Sequence, residues 1–428
     1  MIKTAIIIER ADIALGGAER SVFELASQLS LWDVKVTVLA AKGRTQADNI
    51  KILCPDTGGK RTSFAGFDRA LRNHLIDNRY DIIHSVLPFS FADVYQPRGG
   101  SYPEAIIRNA ASYQNPVVSW YKMATHYANI RRLALLRAEN QLCSDCNRTI
   151  VAAVSEYVKR QFKKHYGLSE DRIVVVPNGI KPGRKVHPEK AAKLRRQIFI
   201  RLGITEAAMP ALFLFGANNF RLKGLTGLIK ALAPAARSRT ARPIYLIVAG
   251  AGSSRKYRHL AKKLGVSERI VFLGRLRNIR NALSISDVAV LPSWYDPCSR
   301  FILEALAAAK PVITTRYNGA AELFVDNRHG LVIDRCDDVR ALADAMCFYA
   351  DPENAKKAGD AITQDNLAEK VSIMRHAKRI AALYEQILNI PPDRSLPAQA
   401  SRQKTEVGKQ KPAGASQRIT GQGEQKLK

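Results

Sequence analysis

Val288-Ala289-Val290-Leu291-Pro292, then Asp296-Pro297-Cys298-Ser299-Arg300-Phe301-Ile302-Leu303-Glu304, then Ala305-Leu306-Ala307 and Lys310-Pro311-Val312-Ile313-Thr314-Thr315, decide the fold. The first run is apolar and too short for a helix, so it reads as a buried strand. Arg300–Ala309 has helical spacing, and Val312–Thr315 is a second short apolar run. Strand, helix and strand in this order form a βαβ unit, which implies a parallel sheet. Asp296 and Glu304 stand eight positions apart and bracket a loop and the first turn of the helix. That loop follows a strand end, where open α/β sheets bind their ligands. Free backbone N–H groups at the helix start attract anionic or hydroxyl oxygens, and a carboxylate accepts hydrogen bonds from sugar or ribose hydroxyls.

The same rhythm runs outward in both directions. Upstream, Ala211–Phe215, Ile244–Ala249 and Ile270–Leu273 read as strands, with helices over Thr226–Ala236 and Ser254–Leu264. Downstream come helices around Ala341–Tyr349 and Glu369–Leu388. An earlier series has strands at Thr4–Ile8, Val34–Ala40, Asp81–Ser85, Thr149–Val154 and Arg172–Val176. Its helices are Ser21–Leu29, Phe67–Asn78, one long helix over Trp120–Gln141, and Glu156–His165 capped by Ser155. Pro177-Asn178-Gly179-Ile180 breaks the pattern, and a polar, basic stretch to about Pro210 follows. The expected organisation is α/β, with two Rossmann-like domains at 1–185 and 186–364. A C-terminal helix at 365–390 packs back on the first domain, and a basic tail fills 391–428. The tail is rich in Pro, Gln, Gly, Ser and Lys, the composition of a disordered segment.

The 428 residues are 46% apolar, enough for a core in each half. Six cysteines in so long a chain do not form a disulfide framework. The lone Cys143-Ser144-Asp145-Cys146 lacks the second pair a structural zinc needs, so idle or buried thiols are expected. The apolar Thr4–Ile8 run is too short for a secretory signal, and Glu9 follows it at once. No apolar run approaches the ~18–20 residues of a spanning helix. The cytoplasm is the expected compartment. A net charge of +29, from 67 basic and 38 acidic residues, favours polyanionic partners: a membrane surface, nucleic acid or a phosphorylated glycan.

Two further motifs carry chemistry. Gly16-Gly17-Ala18-Glu19-Arg20 joins the first strand to the first helix, where glycines admit a ligand to the backbone and the helix N-terminus attracts anions. It lacks the full dinucleotide fingerprint of a dehydrogenase. Gly216-Ala217-Asn218-Asn219-Phe220-Arg221-Leu222-Lys223-Gly224 places two cations beside a glycine-permitted backbone, which suits a diphosphate and its leaving charge. No Asp-x-Asp motif stands at a strand end, so no metal is expected.

The run Asp296–Glu304 resembles the glutamate-x-seven-glutamate signature of retaining glycosyltransferases of the large fourth family, which have the two-domain GT-B fold. The resemblance implies that Asp296 contacts the transferred sugar and Glu304 the donor ribose. It departs at the first position, where Asp is one methylene shorter than the usual Glu. Residues 216–224 resemble the family loop whose Arg and Lys hold the donor diphosphate, which puts those roles on Arg221 and Lys223. Leu273-Gly274-Arg275-Leu276 resembles the stretch facing the nucleotide base, and Asn318-Gly319-Ala320-Ala321-Glu322 the turn and helix after the signature. Asp296, Arg221 and Lys223 are thus the expected catalytic groups. Gly16, Gly17, Gly216, Arg275, Leu276, Ser299, Arg300, Phe301 and Glu304 are the expected donor contacts.

Within the family the likeness points to lipopolysaccharide-core glucosyltransferases, through the early Gly-Gly, Asp93-Val94-Tyr95, and His165-Tyr166 before Arg172. Where many relatives carry His-Gly or an acid near the sugar, this chain reads Gln96-Pro97-Arg98-Gly99-Gly100. Arg98 is suited to a phosphate or an acceptor hydroxyl but not to a general base. His84, Arg98 and His126 are the acceptor-side candidates. Trp120, Tyr121 and Tyr127, interleaved with Lys122, Arg131 and Arg132 in the segment from Ala105 to Arg137, suit a membrane interface or the charged face of a packed helix. The reading is a retaining, metal-independent transferase without a cofactor. It moves a hexose, such as glucose from UDP-glucose, to a glycan or lipid-linked acceptor at an anionic membrane face, and nucleic acid is not the favoured polyanion. The alternatives are a nucleotide-sugar epimerase and a non-catalytic glycan- or polyanion-binding protein of the same fold.

Overall fold

The computed structural model describes residues 1–389 other than 13–16, 44–46, 56–61, 128, 145 and 182–185. Gly16 and the tail at 391–428 lie outside the described residues. Among the described residues thirteen strands form two sheets. The first lobe contains β1 (Ile2–Ala11), β2 (Val34–Gly43), β3 (Ile50–Ile52), β4 (Ile82–Ser85), β5 (Val94–Tyr95), β6 (Ile150–Ala153) and β7 (Ile173–Val175), in the order β3-β2-β1-β4-β5-β6-β7. The second contains β8 (Ala211–Gly216), β9 (Ile244–Ala249), β10 (Ile270–Gly274), β11 (Val288–Leu291), β12 (Val312–Thr315) and β13 (Gly330–Ile333), in the order β10-β9-β8-β11-β12-β13.

Every strand pair is parallel. Parallel strands carry helices on both faces and are buried on both, which explains their unbroken apolar runs. Ala5 pairs with Thr37 on one side and Ile83 on the other. Leu214 pairs likewise with Ile247 and Ala289. The strand order reverses between β1 and β4 in one sheet and between β8 and β11 in the other. Ligands of such sheets bind outside the carboxyl ends at these switch points. In the second lobe, the loops leaving those two strands are the ones that carry Arg221, Lys223 and Asp296.

The chain crosses back after the second lobe. Ile180 donates its N–H to the Val371 carbonyl at 2.9 Å and accepts from the Ile373 N–H at 2.8 Å. A side chain at Gly179 would fall 2.5 Å from the Ser372 carbonyl oxygen, so only glycine fits this crossing. The helix Ile373–Asn389 then packs on the helix Gly17–Leu29. Its Ile373, Ala377, Ile380, Leu383 and Tyr384 join the first lobe's core with Ile6, Leu25, Val38 and Ile82.

Some local expectations need correction. The expected helix over Trp120–Gln141 is two helices, Pro116–Tyr127 and Ile130–Leu142, because the Asn129 side chain accepts from the Arg132 N–H at 3.1 Å and restarts the second. The basic stretch before Pro210 contains a helix, Pro188–Leu202, which buries Ile198, Phe199 and Leu202 under a Lys/Arg-rich outer face. The expected cap does form: the Ser155 hydroxyl accepts from the Val158 N–H at 3.2 Å.

Candidate active site

The two lobes meet along one cleft, and the signature segment lines it. Lys223 Nζ lies 2.7 Å from Asp296 Oδ2 and donates to the Tyr295 carbonyl at 2.8 Å. Both side chains of the pair are mostly buried, so the attraction is only weakly screened. Asp296 is fixed from behind. Its N–H reaches the Tyr317 carbonyl and its carbonyl receives the Gly319 N–H, each at 2.9 Å. The structure therefore joins two of the three expected catalytic groups directly.

The third is held by the opposite lobe. Arg221 donates to the Asn109 carbonyl at 3.0 Å and to the Ser112 hydroxyl, and its guanidinium lies 3.8 Å from the centre of the Tyr113 ring. These partners lie on and just after the helix Tyr102–Ala111 of the first lobe. No local sequence signal links them to a loop more than one hundred positions away.

Glu304 sits on the helix Arg300–Leu306. Burial pushes its carboxyl up, while the charges of Arg300, Arg20 and Arg280 pull the other way. Its carboxylate forms no hydrogen bond or ion pair among the described residues, which leaves both oxygens as acceptors. Arg300 does not face an open cleft. It pairs with Glu24 of the first lobe at 2.9 Å and reaches the Gly179 carbonyl at 3.4 Å. Phe301 is core rather than an open contact, since a side chain at Gly216 would fall 2.5 Å from its ring. The buried Ser299 donates its backbone N–H to Asn318 Oδ1 at 3.2 Å. Leu276 packs against the second lobe's core, and Arg275 is exposed at the end of β10. Gly17 begins the helix Gly17–Leu29.

The acceptor-side candidates separate. Arg98 donates to the Ser21 hydroxyl, and its Nε and second terminal nitrogen are buried without partners among the described residues. Burial, and next the charge of Arg300, pull its guanidinium down to about 9. His84 needs correction as an acceptor-side group. It is fully buried, its Nδ1 lies 2.6 Å from the Tyr384 hydroxyl, and burial lowers it to about 3. It supports the crossover helix through that contact. His126 falls in the helix Pro116–Tyr127, but its side chain lies outside the described residues.

Sequence reasoning missed Tyr295. Its hydroxyl donates across the cleft to the Gly99 carbonyl at 3.0 Å and lies 3.1 Å from Gln161 Oε1. A side chain at Gly100, where φ is +71°, would fall 1.8 Å from that hydroxyl. The glycine pair after Arg98 is thus the seat for Tyr295, and the bare backbone at Gly99-Gly100 was its only trace in the sequence.

Val117, Trp120 and Tyr121 on the helix Pro116–Tyr127 and Ile130 at the start of the next helix are exposed, Trp120 by 73% and Ile130 by 87%, with Lys122, Arg131 and Arg132 nearby in the chain. Among the described residues no helix is long and apolar enough to cross a membrane. All six cysteines are free; Cys143 is buried and Cys146 exposed.

Comparison with known proteins agrees with this layout. Residues 15–184 match the family Glycosyltransferase Family 4, and residues 199–365 match Glycosyl transferases group 1. The lipopolysaccharide glucosyltransferase WaaG of Escherichia coli is 27% identical over 312 residues, covering 71% of this chain and 79% of that protein. The crystal structure of WaaG superimposes with a TM-score of 0.70 at 20% identity, over 89% of this chain and 99% of that one. Anabaena HepE in complex with UDP-glucose gives 0.64 at 17% identity, over 90% and 100%. Two parallel sheets facing each other across a cleft, with one family matched on each lobe, make this chain a glycosyltransferase of the GT-B fold that belongs to family 4, group 1.

Proposed function

We propose that the enzyme transfers a hexose, with glucose from UDP-glucose as the leading candidate, from a nucleotide-diphosphate donor to a lipid-linked or free glycan, with retention of configuration. The observation that carries this reading is the Lys223–Asp296 pair at the switch point of the second lobe, with Arg221 on the same loop as Lys223 and Glu304 on the helix that follows Asp296. Arg221 and Lys223 stabilise the charge that develops on the leaving diphosphate, so the bond breaks without a metal. Asp296 holds Lys223 and meets the sugar. Glu304 accepts from the ribose hydroxyls. The acceptor enters from the Arg98 side, and the leaving diphosphate takes its proton on the same face of the sugar. Catalysis then rests on positioning and charge stabilisation, with no protein nucleophile.

The names of two relatives support the finer choices: WaaG is a lipopolysaccharide glucosyltransferase, and HepE was crystallised with UDP-glucose. The exposed Val117–Ile130 face and the excess of basic residues support work at the inner, anionic face of the cytoplasmic membrane. The test is a panel of nucleotide sugars scored for thermal protection and for slow donor hydrolysis. UDP-glucose should raise the melting temperature and be hydrolysed. Indifference to every nucleotide sugar would overturn the reading.

A further inference from the structure

Away from the Lys223–Asp296 pair, a cavity of about 270 Å³ opens where the crossover helices meet the second lobe. Its apolar side is Leu323, Phe324, Val325 and Leu367. Its other side carries Lys370, Arg375 and Arg379. None of these three cations forms an ion pair or a side-chain hydrogen bond among the described residues. The acid in the lining, Glu322, is already occupied: it accepts from the Glu156 N–H at 2.7 Å and from Arg160 at 3.0 Å. His329 is engaged as well, by Asp365 at 2.8 Å. Three like charges therefore converge on one space with no free counter-charge. At Arg379, burial and next the charge of Arg375 pull the guanidinium downward.

We propose that this cavity is a binding site for a phosphate ester, distinct from the donor site and independent of the reading of that site. Guanidinium groups match phosphate oxygens bidentately, and the apolar wall takes the organic part of the ester. The volume lies just below the ~300–1,000 Å³ of drug-sized ligand sites, so it suits a small headgroup or a sugar phosphate and not a second nucleotide sugar. The lining includes Pro177, whose carbonyl accepts from the His376 ring at 2.7 Å, so the ligand would touch both chain crossings between the lobes. The phosphate has two sources, a soluble ester or the headgroup of an anionic lipid.

The test is calorimetric titration of the full chain with inorganic phosphate and with glycerol 3-phosphate, in saturating UDP to occupy the donor cleft. Co-sedimentation with phosphatidylglycerol vesicles runs in parallel. The double variant Arg375→Ala with Arg379→Ala should bind at least about tenfold more weakly, because each lost charge-assisted contact is strong. Arg375→Lys with Arg379→Lys should restore part of the binding and controls for folding. Loss in the soluble arm assigns a free ester, and loss in the vesicle arm alone assigns a lipid headgroup. Equal binding by wild type and the alanine variant in both arms overturns the proposal. If the donor reading fails and UDP does not bind, the difference between these variants still decides this site.

Discussion

The Arg221 guanidinium, carried by the loop after β8, lies 3.8 Å from the centre of the Tyr113 ring in the other lobe. The expected diphosphate cation is thus held by side chains and backbone of the first lobe. A stacked cation of this kind is worth about 0.5–2 kcal/mol. Under the proposed mechanism a donor must draw Arg221 away from that ring. Tyr113→Ala should therefore raise UDP affinity by about two- to thirtyfold, read by calorimetry. A drop in affinity would mean that Tyr113 builds the donor site.

The Lys223–Asp296 pair gives a second expectation. Lys223→Ala should lower kcat/KM by about 2–4 kcal/mol in transition-state terms if the ammonium meets the leaving charge. Asp296→Asn should lower kcat more than UDP affinity, because it weakens the hold on Lys223 and the contact with the sugar. An Asn variant with unchanged turnover would leave Asp296 a purely structural role.

Glu304 predicts a pH dependence. Its folded carboxyl is raised by burial, so it takes up a proton at a higher pH than an exposed glutamate. Nucleotide affinity should fall as pH drops toward that raised value, because the protonated group loses acceptor capacity. Glu304→Gln should bind more weakly at neutral pH and show a flatter profile from pH 7 down to 5. Parallel profiles for the two proteins would remove Glu304 from the ribose contact.

For the membrane reading, wild type should co-sediment with anionic vesicles at low salt and release as salt rises. Trp120→Ala with Ile130→Ala should weaken the attachment even at low salt, since both side chains are exposed and apolar. Vesicle binding that tracks charge alone, with no effect of these two changes, would move the contact elsewhere.

What the sequence disclosed follows from what local patterns encode. Val288–Thr315 reads correctly as strand, loop, helix and strand because parallel strands are buried on both faces and cannot hide their apolar runs. Val94–Tyr95 escaped as a strand because two residues carry no period. The helix Pro188–Leu202 escaped because its basic face outweighs its few buried residues, Ala191, Ile198, Phe199 and Leu202. At the site, glycines and charges marked Arg221, Lys223, Asp296 and Glu304 by spacing. The partners across the cleft were hidden. Glu24 meets Arg300 from 276 positions away, and Tyr295 meets Gly99 from 196. No periodicity speaks across such separations.

The crossover helix has a consequence for synthesis. Ile373, Ile380 and Tyr384 are part of the core that covers Leu25 and Ile82. A ribosome making this chain finishes the sheet of the first lobe early but cannot supply its lid until Asn389 has emerged. At ~5–20 residues per second, that apolar face waits on the order of ten seconds or longer, while the second lobe is still being made. The two lobes are therefore completed in reverse order, and a nascent chain stalled within the second lobe would expose an unfinished first one to chaperones and proteases.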